Sequence, residues 1–156
     1  MITTNQRAFL DMLAYSEIGP DLLAVSDNGY DVIVGSTASH PDLFDSYASH
    51  PHKMVTLRPG LVSSAAGRYQ LLGKYYDAYK AQLHLPDFSP DSQDAIALQQ
   101  IKECHALALI EVGDFAAAVI QCARIWASLP GAGYGQHENK LNDLQAAYEA
   151  AGGTMK

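Results

Sequence analysis

The chain has 156 residues, 48% of them hydrophobic and 17% charged, with a net charge of -7. That length suits one compact domain with its own core, and the composition excludes a disordered chain. The acidic balance argues against a nonspecific binder of nucleic acid or anionic membrane, either of which needs a basic face.

Thr4 or Asn5 can cap a first helix that carries Phe9, Met12 and Leu13 on one face, with Ser16 and Glu17 at its end. Gly19-Pro20 stops it. From about 21 to 64 turn formers are dense, as in Asp27-Asn28-Gly29, His40-Pro41-Asp42 and Arg58-Pro59-Gly60. Between them lie short β-rich runs, Tyr30 to Val34 and Met54 to Leu57. Helices then take over. One is expected from Ala65 to Leu83, capped by Ser63 or Ser64. A second opens at Ser89-Pro90 and runs to Glu103. A shorter segment, Ala106 to Val112, ends at Gly113, and Asp114 caps the next, which buries Phe115, Val119, Cys122 and Trp126. After the glycine-rich run Pro130 to Gly135, a last helix is expected from Glu138 to Ala151. The sum is an α+β fold in one domain spanning 1–156: a mainly helical body, a small β region, and a groove between them as the natural ligand site.

Glu17 stands apart from the other glutamates, Glu103, Glu111, Glu138 and Glu149, which fall in ordinary amphipathic patterns and read as solvated. It lies at a helix C-terminus, where the macrodipole disfavours a carboxylate, and Leu13, Tyr15 and Ile18 can desolvate it. Both effects raise its pKa and suit a proton donor. The plainer reading is a solvated helix end. Tyr30 and Tyr134 sit in loop-like sequence, where a ring either stacks on a sugar face or covers the edge of the core. The tyrosines Tyr69, Tyr75, Tyr76 and Tyr79 follow helical spacing, which favours core or cladding.

The six histidines form no metal-ligand pattern, and no G-x-S-x-G elbow marks a serine hydrolase. Gly131 to Gly135 lacks the strand and the Lys-Ser/Thr of a phosphate loop. No metal and no cofactor are expected. Cys104 and Cys122 read as buried free thiols. No apolar run reaches transmembrane length, and Met1 to Asn5 lacks the regions of a secretory signal, so the chain is expected in a cytoplasm until something releases it.

Several strings together resemble the bacteriophage lambda lysozyme (endolysin) family. They are Gln6 to Ala14 followed by Ser16-Glu17, Gly29 to Gly35, Ala66 to Leu72, Ala97 to Glu103, Ile125 to Gln136, and Ala151 to Thr154, in order along nearly the whole chain. The resemblance implies a lysozyme-like fold and a phage endolysin that lyses the host. It implies a lytic transglycosylase, which cleaves the β-1,4 bond between N-acetylmuramic acid and N-acetylglucosamine and leaves a 1,6-anhydro ring. The family's catalytic glutamate falls on Glu17. Its Gly-Arg-Tyr-Gln and Gly-Tyr-Gly-Gln segments place Gln70 and Tyr134 at the substrate, and Tyr30, Tyr69 and Gln136 are assigned to substrate binding with them. Peptidoglycan strands are the implied partner, with a holin for passage to the periplasm and no membrane insertion. The enzyme is expected to act as a monomer. The sequence departs from the family at Tyr15, where the family has Trp, through 18–28, and at 36–52, which is about five residues longer.

In that chemistry one acid/base suffices, because the muramic C6 hydroxyl is the nucleophile. A hydrolytic muramidase would need a second carboxylate, for which Asp27, Asp31 and Asp45 are available. A non-catalytic glycan-binding phage protein would keep cleft aromatics without needing Glu17.

Overall fold

The computed structural model describes residues 1–135 and 137–156. They form two compact units, one of Met1–Glu17 with Ala97–Lys156 and the other of Ile18–Ile96.

The first unit is helical. Its helix α1, Thr4–Glu17, buries Ala8, Phe9, Leu10, Met12, Leu13 and Ala14 completely, so it is wrapped on more than the one face its sequence marks. The cap differs from expectation. Thr3 Oγ1 accepts from the Gln6 N–H at 3.1 Å and Gln6 Oε1 accepts from the Thr3 N–H at 3.3 Å, a reciprocal capping box one residue before Thr4. Asn5 has another use. Its Nδ2 donates to the Ile110 carbonyl and its Oδ1 accepts from the Thr154 N–H and hydroxyl.

The C-terminal part of α4 (Pro90–Glu103), α5 (Leu107–Glu111), α6 (Phe115–Cys122) and α7 (Leu141–Ala150) complete this unit. Phe9, Phe115 and Tyr148 interlock at its centre. The last two stack at 4.8 Å and Phe9 meets both edge-on. Gly113 has φ +76°, and a Cβ there would lie 2.6 Å from the Lys156 nitrogen. Only glycine lets the C-terminal tail close on this turn, through Lys156 N–H to Gly113 O and the Lys156–Asp114 ion pair at 2.8 Å. Glu138 is not helical as expected. The last helix begins three residues later, because Glu138 is engaged by the glycine loop.

The second unit begins with α2, Pro20–Val25. Gly19-Pro20 ends α1, as expected, but the proline also opens a helix, since its fixed φ suits the first helical position. The run Tyr30 to Val34 makes only isolated bridges, Val32 to Leu43 and Ile33 to Ala66, not a strand. Among the described residues the regular sheet is one antiparallel pair, β1 (Val55–Arg58) and β2 (Leu61–Ser63), turned at Pro59-Gly60. The helix expected from Ala65 begins only at Gly73, as α3 (Gly73–Leu83). Gly67 at φ +84° and Gln70 at φ +53° leave the helical region, and hydrogen bonds from Gln70 N–H to Gly67 O and between Ala66 and Leu71 fold 66–71 into tight turns. Leu71, Tyr76, Phe88 and Ile96 form the core of this unit, with Phe44, Tyr79, Leu83 and Leu85 packed around it.

Candidate functional site

Glu17 ends α1 beside Ser16, and the next residues turn away through Ile18-Gly19. Its side chain is part-buried. Its carboxyl is pushed up from 4.5 to about 7, above all because burial disfavours the charged form. The hydrogen bond from Ser128 Oγ to Oε1, 3.0 Å, works in the opposite direction. The position at a helix C-terminus acts with burial. Glu17 is thus an acid that holds its proton near neutrality yet reaches the surface.

Ser128 is itself held. Its Oγ lies 2.8 Å from Ser16 Oγ, and Asn139 Nδ2 donates to Ser16 Oγ at 3.0 Å and to the Ser16 carbonyl at 3.1 Å. The Asn139 backbone N–H donates to the Ser128 carbonyl at 2.8 Å. The loop between Ser128 and Asn139 is gathered by Glu138, whose two oxygens accept from the Gly131 and Gly133 N–H groups at 2.9 and 3.1 Å. These two donors hold its carboxyl below the usual range. Gly131, Gly133 and Gly135 all take positive φ, which lets the loop fold round that carboxylate. Tyr134 on this loop is 57% exposed, its hydroxyl donating to the Arg124 carbonyl at 2.8 Å. The ring is presented to solvent and does not cover the core. Gln136 lies outside the described residues.

The remaining expected residues belong to the second unit. The Tyr30 hydroxyl donates to Asp94 Oδ1 at 2.9 Å, and the Arg68 guanidinium lies 5.2 Å from its ring centre. Tyr69 is buried, 5% exposed, and its hydroxyl donates to the same Asp94 oxygen at 2.6 Å. So Tyr69 has little surface to offer a ligand, and its place is behind Tyr30, which it meets edge-on at 6.5 Å. Asp94 and Arg68, both 4% exposed, complete a buried polar support that nothing in the local pattern signals. Gln70 Nε2 donates to the Gly67 carbonyl at 2.9 Å, which leaves Oε1 as the atom it can offer to a hydroxyl or amide. An open depression of about 320 Å³ runs between Ile18–Leu22 and Ser36–Ala38, the stretches that depart from the family pattern.

Ser128 and Asn139 are the site residues the sequence reading missed. They lie 111 and 123 positions from their partners Glu17 and Ser16, and neither stands out in its own neighbourhood.

The chain as a whole is similar to known proteins. A profile of the endolysin family matches residues 7–155. The endolysin of Escherichia phage lambda is 55% identical over 155 residues, covering 99% of this chain and 96% of that one. The endolysin of Escherichia phage P2 is 51% identical over 96 residues, covering 62% of this chain and 58% of that one. A solved bacteriophage lambda lysozyme complexed with a chitohexasaccharide superposes with a TM-score of 0.91 at 54% identity, covering 100% of this chain and 99% of that one. A second structure of lysozyme from bacteriophage lambda gives 0.88 at the same identity and coverage.

Proposed function

Because the chain belongs to the endolysin family, we propose that it degrades peptidoglycan by lytic transglycosylation, with Glu17 as the single acid/base. The observation that carries this reading is the Glu17 carboxyl itself, neutral up to about pH 7 and part-exposed. Neutral Glu17 donates its proton to the glycosidic oxygen between N-acetylmuramic acid and N-acetylglucosamine. As that bond breaks, positive charge develops at muramic C1. The new carboxylate then takes the proton of the muramic C6 hydroxyl, whose oxygen bonds to C1. The ring closes as 1,6-anhydromuramic acid, Glu17 is neutral again, and no water is consumed.

Hydrolysis would need a second carboxylate to activate water or to attack C1. Of the candidates Asp27, Asp31 and Asp45, Asp27 accepts from the Tyr47 hydroxyl and Asp31 from the Asp27 N–H. A raised carboxyl at Glu17 alone fits a route in which the substrate brings its own nucleophile. Tyr30, Tyr134 and Gln70 are the proposed substrate contacts, the two rings for stacking on sugar faces and the amide for a hydroxyl or N-acetyl group. Gln136 joins them by its place in the family's strings. Tyr69 acts through Tyr30. The chitohexasaccharide held by the related lysozyme is a glycan of the kind these residues suit.

Among the described residues no helix is long and apolar enough to cross a membrane. A separate membrane-permeabilising protein, a holin, is therefore the proposed route from the host cytoplasm to the periplasm. Digestion of purified peptidoglycan in oxygen-18 water tests the chemistry. An anhydro product free of the heavy isotope is expected. Heavy oxygen at C1, formed at the initial rate, would make the enzyme a hydrolytic muramidase.

A further inference from the structure

We propose that Asn139 is a positioning residue for the acid/base cycle, acting on Glu17 through the hydroxyls of Ser16 and Ser128. The inference rests on the reading of Glu17 as the acid/base and deepens it. Asn139 Nδ2 can only donate, so Ser16 Oγ, 3.0 Å away, must accept from it. The Ser16 proton is then available to Ser128 Oγ at 2.8 Å, and the Ser128 proton to Glu17 Oε1 at 3.0 Å. The chain of donors runs one way, from the amide to the carboxyl.

Reversing it requires Glu17 to donate to Ser128 and Ser128 to Ser16. The Ser16 hydroxyl proton would then need an acceptor at a residue only 8% exposed and already facing an N–H donor. An orphaned buried donor is costly, so the chain keeps its direction. In this direction Oε1 accepts from Ser128, which leaves Oε2 as the oxygen for the transferable proton. The transferable proton resides on Oε2, and the same oxygen is the base in the second half of the reaction. One atom, held in one orientation, performs both transfers.

Holding that orientation is a matter of tertiary structure. Ser16 comes from the last turn of α1, and Ser128 and Asn139 from the two ends of the loop that Glu138 gathers. The Asn139 backbone N–H bonded to Ser128 O at 2.8 Å closes those ends on each other. Burial and the Ser128 hydrogen bond are what set the Glu17 carboxyl, so a change in this chain is read in the pH profile.

The test compares Asn139→Asp, Ser128→Ala and Ser128→Thr with the native enzyme, using kcat, KM and the pH dependence of peptidoglycan cleavage. Asn139→Asp keeps the size but turns the terminal donor into an acceptor, which reverses the chain and draws the Glu17 proton onto Oε1. Its kcat should fall by about tenfold or more with little change in KM, since misplaced reacting groups cost up to about 100-fold. Its alkaline limb should move to higher pH. Ser128→Ala removes the hydrogen bond that favours the carboxylate and should also move the alkaline limb up, by about one pH unit. Ser128→Thr restores the hydroxyl and should return both readouts. A folded Asn139→Asp enzyme with native kcat and pH limb would overturn the inference. So would a loss of kcat in Ser128→Ala without a shifted limb, or one that Ser128→Thr fails to restore. If Asn139→Asp does not fold, Asn139→Ala, which removes the donor, replaces it: a lowered kcat is expected, and a native kcat and pH limb would overturn the inference. Glu17→Gln is the separate control. Retained cleavage in that variant would overturn the assignment of Glu17 itself, whereas its inactivity beside a native Asn139→Asp would overturn only the positioning role.

Discussion

Glu17→Gln should make the protein inactive and, above neutral pH, more stable. The argument is one of linkage. In the folded chain the Glu17 carboxyl is raised from 4.5 to about 7, so the native state binds the proton more tightly than the unfolded state. Below about pH 4.5 the group is neutral in both states and imposes no penalty. Between 4.5 and 7 the unfolded chain ionises first, and native stability falls as pH rises. Above 7 the full cost is present, about 3 kcal/mol at 1.36 kcal/mol per pH unit. A glutamine has the same shape and no titration. The variant should therefore match the native protein at pH 4.5 and exceed it by about 2–3 kcal/mol at pH 8.5. In a chain of this length that is roughly 5–10 °C in Tm. Urea unfolding at a series of pH values measures the difference, and every other titrating group cancels because both proteins carry it. Two stability curves that stay parallel from pH 4.5 to 8.5 would refute the reasoning, since Glu17 would then titrate alike in both states. Activity offers a second check. The native enzyme should lose turnover as pH rises through about 7, and Glu17→Gln should have none at any pH.

Asp94→Ala should cost about 2–4 kcal/mol, because it leaves the buried hydroxyl of Tyr69 and the part-buried one of Tyr30 without their shared acceptor. Substrate binding should weaken as the Tyr30 ring loosens, seen as a raised KM in the variant that still folds. Gly67→Ala should destabilise by about 2 kcal/mol or more, since its φ is +84° and the new Cβ would meet Gln93 Oε1 and Phe88 Cζ; thermal unfolding measures it. The buried thiols of Cys104 and Cys122 are unbridged hydrogen-bond partners, so freshly purified protein should melt at the same temperature with and without reductant. A clear drop on reduction would mean the pair had been oxidised to a disulfide.

What the sequence determined by itself is what neighbouring residues decide. Ser89-Pro90, Gly113 and the break at Gly19-Pro20 mark helix ends because capping and proline geometry act within one turn. Glu17 was legible as an unusual acid for the same reason, since its place at a helix end among apolar neighbours is a local fact. The strings shared with the endolysin family carried the fold, because they recur in order along nearly the whole chain.

The tertiary structure decided the rest. Tyr30 to Val34 has the composition of a strand, but a strand needs a partner along its length, and here only Val32 and Ile33 find one each. The stretch 65–72 has helical spacing, but the left-handed backbone at Gly67 and Gln70 turns it inward, with Tyr69 on Asp94 and Arg68 on the Tyr69 hydroxyl. Tyr69 therefore became a buried support instead of a sugar platform. Glu138 left its helix for two N–H donors seven and five residues earlier. Ser128 and Asn139 became part of the acid's surroundings only when folding brought them to Glu17 and Ser16. Periodicity and caps report interactions within a few residues, whereas the orientation of a carboxyl proton depends on hydrogen bonds that close more than a hundred residues of chain.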